Sequence, residues 1–244
     1  MNPNRVDILA FSPHPDDAEI GCGGSLMLSA QKGLRTGIVD ISEGERASRG
    51  SIEERQLEKC HASELLGLSL RLSLNLPDTE IGTEREHLQA VIDAIRKTES
   101  RVVLAPYFTD RHPDHEAAGR LVRAACFYAG VNSGHKRHRP ERLYFYMIHT
   151  PFTPSFVVDI CGVWERKRSA VLAYKSQFGA EEKSTALSGP EYMRYLEARA
   201  IFYGAMVGAP YGEPFASIGP VPEGEIPGLG SSPSNQGTLR YNPF

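Results

Sequence analysis

Apolar residues fall along the chain in two kinds of run: short continuous stretches rich in β-branched and aliphatic side chains, and longer stretches at helical spacing. Residues 5–11, containing Val6-Asp7-Ile8-Leu9-Ala10-Phe11, read as a buried strand. Ser12-Pro13-His14-Pro15 then interrupts regular structure, because each proline biases the residue before it away from helix. From Asp16 an amphipathic helix is predicted to about Gln31, with Asp16, Asp17 and Glu19 in its first turn and Gly33 just past its end. A second strand covers 35–41. Ser51-Ile52-Glu53-Glu54 fits a capping box, opening a helix that runs to Leu66 before Gly67.

The alternation continues with strands at 68–76 and 101–106 and helices at 86–98 and 116–129. Beyond these, 142–149 and 155–160 read as strands, and 163–177 and 190–207 as helices. Residues 211–244 hold six prolines and six glycines, too many for regular structure, and predict an irregular tail. Tyr211, Phe215, Tyr241 and Phe244 could pack this tail on the body or on a neighbouring subunit. The pattern predicts one α/β domain over 1–244, Rossmann-like, with a mostly parallel sheet flanked by helices. If the strand order is 3-2-1-4-5, it reverses between strands 1 and 4. A ligand belongs at their carboxyl ends.

Composition narrows the function by exclusion. The net charge of −3 gives no argument for nucleic-acid binding. No apolar run approaches the roughly 18 residues of a membrane span, and no signal-peptide pattern follows Met1. The four cysteines, Cys22, Cys60, Cys126 and Cys161, are scattered and form no C-x-x-C pair, which favours a reduced, cytoplasmic protein.

Candidate chemistry sits at the two strand ends. His14-Pro15-Asp16-Asp17 follows the first strand and His112-Pro113-Asp114-His115 follows the fourth. A catalytic zinc takes three ligands from His and Asp/Glu and keeps a fourth position for water. His14 and Asp17, three residues apart on a turn entering a helix, can chelate one ion, and His115 can complete the set. Asp16 is then free to act as general base. His112, if protonated, could bond the oxyanion or give a proton to the leaving amine. Asp110 or Asp114 could orient one of the histidines. A single such run could be only a helix-capping turn; two after two strands are harder to dismiss. Gly21-Cys22-Gly23-Gly24 lacks the order of a dinucleotide loop and suits close helix packing. His61 and His87, on predicted helices, read as surface or packing residues, and His135 and His138, in the basic loop 134–142, as part of a solvated turn. Arg46, Arg49, Arg55 and Arg111 fall in segments that should rim the pocket. They are either surface charges paired with Glu43, Glu45 and Glu54, or bidentate binders of a substrate carboxylate or phosphate.

The stretches 10–24 and 106–115 resemble the PIG-L deacetylase superfamily, over residues 5 to about 218. The resemblance implies metal binding by His14, Asp17 and His115, general-base action by Asp16 and transition-state stabilisation by His112. Leu76-Pro77-Asp78, Ala173-Tyr174-Lys175-Ser176-Gln177-Phe178 and Tyr211-Gly212-Glu213-Pro214-Phe215 are most similar to bacillithiol biosynthesis deacetylases. That implies one zinc per chain, or iron(II) or another divalent metal, a small amino-sugar substrate such as N-acetylglucosaminyl-malate, and a homo-oligomer, plausibly a hexamer. Arg49, Arg55 and Arg111 would meet the malate. The alternatives are a chito-oligosaccharide deacetylase, a thiol-sugar conjugate amidase or, in a different class, a non-catalytic sugar- or metal-binding module. A binding module would need neither Asp16 nor His112.

Overall fold

The computed structural model describes residues 2–47, 49–131, 137–179 and 190–221. Seven strands form one sheet: β1 (Ile8–Ser12), β2 (Thr36–Asp40), β3 (Leu70–Ser73), β4 (Val102–Pro106), β5 (Arg142–Tyr146), β6 (Phe156–Asp159) and β7 (Gly212–Ser217). Their order is β3-β2-β1-β4-β5-β7-β6. The first five are parallel, with Ile8 of β1 facing both Thr36 of β2 and Val102 of β4. β7 runs antiparallel to both its neighbours. The predicted reversal between β1 and β4 is present.

Side chains alternate across the strands, so Leu9 and Phe11 face one layer while Ala10 between them faces the other. The first layer holds α3 (Arg85–Thr98) and α4 (Pro113–Ala129), the second α1 (Asp17–Gln31), α2 (Ile52–Leu66), α5 (Trp164–Leu172), α6 (Lys175–Phe178) and α7 (Pro190–Ala205). All of β2 and most of β1 and β4 are buried, as parallel strands covered on both faces must be. The capping box of α2 forms as predicted, with Ser51 accepting from Glu54 N and Glu54 returning the bond to Ser51 N. Gly67 ends the helix in a left-handed turn.

Three expectations need correction. The tail predicted from 211 begins instead with β7, placed between β5 and β6. Gly212 and Pro214 disguised it, but pairing with β5 starts only at Phe215, beyond the proline. Residues 222–244, with Tyr241 and Phe244, lie outside the described residues, as does His135. Helix α1 is not amphipathic. It is buried on nearly all sides through Met27, packed between the sheet, α2 and α5. Its glycines permit this: a Cβ on Gly21 would stand 2.1 Å from Tyr146 Cδ2, and one on Gly24 would stand 2.9 Å from Ile160 Cγ2. Finally, the helix predicted at 163–177 is broken at Tyr174. Leaving the helix there buries its ring and lets its hydroxyl donate to Glu19 Oε1 at 2.8 Å.

Candidate active site

Both histidine runs emerge at the carboxyl ends of β1 and β4. The first turns sharply into α1. Ser12 Oγ accepts from Ala18 N, and Asp17 Oδ2 accepts from His14 N at 3.0 Å. Between them Asp16 takes φ 119°, a left-handed conformation costly to a residue with a Cβ. Strain of this kind persists where the surroundings over-determine it, commonly at functional sites. In the second run His112 caps α4, its Nδ1 accepting from Asp114 N at 3.2 Å, and Pro113 occupies the first helical turn. An accepting Nδ1 carries no proton, so the neutral ring keeps its proton on Nε2.

Asp17 Oδ2 lies 3.1 Å from His14 Nδ1 and 3.3 Å from His115 Nε2. Ligand atoms about 2.0 Å from one tetrahedral ion stand about 3.3 Å apart, so the three residues fit a divalent metal in donor type and spacing. Two further groups of donors lie close together: His14, His112 and Asp114, and Asp110, His115 and His149.

Carboxylates surround the histidines. His14 Nε2 lies 3.1 Å from Asp78 Oδ1 and 3.3 Å from Asp114 Oδ2. His115 Nδ1 lies 3.2 Å from Asp110 Oδ1, whose other oxygen accepts from His149 N and Thr150 N. Asp110 and Asp114 thus each lie within hydrogen-bond distance of a histidine ring.

The charges are strongly coupled. Burial alone would lower the His14 pKa, but hydrogen bonds to Asp114, Asp17 and Asp78 raise it well above the ordinary value. Burial also opposes protonation of His115, yet the Asp17 charge and bonds to Asp110 and Asp17 raise it to about 9. Burial would raise Asp17, but the His115 charge and bonds from both imidazoles hold it well below the usual carboxylate range. Asp16 goes the other way, pushed to about 8 by burial and only partly relieved by Arg55. Burial, then the charges on His115 and His14, lower His112. Both imidazoles face carboxylates, an arrangement that favours positive charge between them.

These residues line a cleft of about 370 Å³, near the lower end of the small-molecule range. Arg46, Arg49 and Arg55 line it too. Arg55 Nη2 lies 3.5 Å from Asp16 Oδ2, Arg49 donates to the carbonyls of Gln177 and Gly179, and Arg46 pairs with Glu80. Arg111 is exposed and is not among the lining residues. His61 is exposed on α2, and His138 packs its Nε2 against Ser100 O. Two titratable lining residues have no role assigned from the sequence: Asp78, which ends the Leu76-Pro77-Asp78 stretch, and His149, which lies in no motif. Burial, reinforced by the His115 charge, lowers the pKa of His149 to about 4. Each follows a strand of the parallel set, β3 and β5; for His149 that position is the only signal, whereas Asp78 also ends a stretch that resembles the family.

A family model described as GlcNAc-PI de-N-acetylase matches residues 9–126, from β1 into α4. A diacetylchitobiose deacetylase of Thermococcus kodakarensis is 32% identical over 224 residues, 84% of this chain and 80% of that protein. The crystal structure of the conserved protein TT1542 from Thermus thermophilus superposes with a TM-score of 0.84 at 41% identity, covering 91% of this chain and 98% of that one. A 4-oxalmesaconate hydratase of Pseudomonas putida is 26% identical over 72% of this chain and 76% of its own length.

Proposed function

The chain belongs to the PIG-L family of GlcNAc-PI de-N-acetylases, and from that premise we propose that it is a metal-dependent hydrolase that removes the acetyl group from a neutral N-acetylglucosamine saccharide of one or two rings. The observation that carries this reading is the spacing of Asp17 Oδ2, His14 Nδ1 and His115 Nε2 with Asp16 beside them. His14, Asp17 and His115 are the metal ligands. When bound, zinc or another divalent ion supplies Lewis acidity, lowering the pKa of water and polarising the acyl carbonyl.

The chain's own groups handle the protons. Asp16 takes one from the attacking water and returns it to the amine nitrogen as the C–N bond breaks. Positive charge held beside Asp17 favours the ionised form of Asp16 that this requires. His112 serves as a neutral donor, its Nε2–H directed at the developing oxyanion. This differs from the protonated His112 considered from sequence, because the Nδ1 cap bond and the lowered pKa both favour the neutral ring. Asp110 and Asp114 hold the imidazoles of His115 and His14 in place.

The choice of saccharide rests on the arginines. A malate conjugate would bring two negative charges to a cleft that already holds Asp16, Asp17 and Asp78. Arg46, Arg49 and Arg55 already engage Glu80, two backbone carbonyls and Asp16. A neutral chito-oligosaccharide avoids that conflict, and the Thermococcus relative is named for such a substrate. N-acetylglucosaminyl-malate is the second reading, carried by the motif resemblance, and Arg49 and Arg55 would then bind its carboxylates. Acetate release from diacetylchitobiose, N-acetylglucosaminyl-malate and free N-acetylglucosamine decides between them. We expect the highest kcat/KM on diacetylchitobiose. A preference for the malate conjugate that Arg49→Ala abolishes would reverse the assignment. Hydration of an unsaturated acid without acetate release would place the chain beside its hydratase relative instead.

A further inference from the structure

We propose that Ile20 and Phe178 form the acyl subsite of the cleft and restrict the enzyme to the acetyl group. The inference deepens the N-deacetylase reading and rests on it. Apart from Ile20, Ala47 and Phe178, the side chains lining the cleft are polar. Ala47 is half-buried in the loop beside Arg46, whereas Ile20 and Phe178 are only 3% and 4% exposed. Ile20 N donates to Asp16 O at 2.9 Å, which places Ile20 one helical turn beyond the base. The Phe178 ring stacks on Tyr192 at 5.5 Å, and Tyr192 meets His149 edge-on at 6.0 Å. His149 in turn stacks on His115 at 5.2 Å. An aromatic wall thus runs from Phe178 to the metal-ligand cluster.

An N-acyl group offers a carbonyl oxygen, an amide N–H and a hydrocarbon tail. Only the tail gains by leaving water for apolar surface; laid against Asp16 or Asp17 it would strip solvation from a charge. With the carbonyl carbon near His14, Asp17 and His115, the tail is directed to Ile20 and Phe178. The backbone under Ile20 is fixed. Its carbonyl accepts from Lys167 Nζ at 2.9 Å and from Arg199 Nη2 at 2.7 Å, and both cations are buried. Arg199 also donates to Ile148 O, next to His149. A wall clamped at both ends has little scope to retreat before a longer chain.

The test compares kcat/KM for diacetylchitobiose and its N-butanoyl analogue on metal-loaded wild type, Ile20→Val and Ile20→Ala. A hydrophobic pocket discriminates by roughly 10–200-fold per methylene. Wild type should favour acetyl at least tenfold. Ile20→Ala should raise kcat/KM on the butanoyl substrate in absolute terms and shift the preference by about tenfold or more, with Ile20→Val smaller in the same direction. A gain on the longer chain cannot arise from partial unfolding. Equal losses on both substrates, or a wild type indifferent to chain length, would overturn the subsite while leaving the deacetylase reading standing. Release of neither acid by the wild type would sink that reading and the subsite with it.

Discussion

Asp16 and Asp17 are neighbours in sequence and electrostatic opposites. Burial raises the first to about 8, while His115 and His14 hold the second well below the usual range. Two adjacent carboxylates with divided properties suit a base beside a ligand. Replacing Asp16 with Asn should leave metal content and melting temperature near wild type and lower kcat about 10²–10⁴-fold; an Asn variant of near-normal rate would refute the base. His14→Ala, Asp17→Ala and His115→Ala should each release the metal, as read by elemental analysis after dialysis. At this scale the sequence was legible wherever a residue lay in one of the two short runs. It was not legible for His149, which no motif contains, nor for the role of Asp78: their contacts with His115 and His14 join segments far apart in sequence. Arg111 shows the converse: proximity to a motif did not bring it into the cleft.

Helix α1 is the element on which the site depends, and it is held by groups far from the metal ligands. Glu213 of β7 accepts from Gly24 N, Ser25 N and Ser25 Oγ, and pairs with Lys167 of α5 at 2.6 Å. Lys167→Met would leave Glu213, 1% exposed, without its cation. We expect a loss of about 3–5 kcal/mol in urea unfolding, partly recovered by adding Glu213→Gln. Gly21→Ala drives a methyl into Tyr146, whose hydroxyl donates to Phe11 O at 2.6 Å. A loss of about 1–3 kcal/mol should follow, and an unchanged unfolding midpoint would show that the ring can move aside. Strands β1, β2 and β4 could be read because two-sided burial writes an apolar run into each, and β3 because its leucines alternate with polar residues. β7 could not, since only Phe215 and Ala216 of its six residues are apolar. The all-round burial of α1 was equally hidden, because small residues and buried acids imitate a polar face.

The whole molecule places its chemistry where the order β3-β2-β1-β4-β5 reverses, so that loops after two adjacent strands meet over one cleft. Among the described residues no helix is long and apolar enough to cross a membrane. The order of the five parallel strands was legible, because alternating strands and helices leave few parallel arrangements open; the antiparallel β7 between β5 and β6 was not. Substrate identity was the least legible: it depends on which arginines already have partners, and a linear sequence does not record that. The most direct measurement is metal content alongside acetate release from diacetylchitobiose on one preparation, before and after chelation and after zinc is restored. We expect about one ion per chain, turnover lost with the ion and regained with it. Full acetate release by thoroughly metal-free protein would contradict the assignment of His14, Asp17 and His115 as ligands of a catalytic metal.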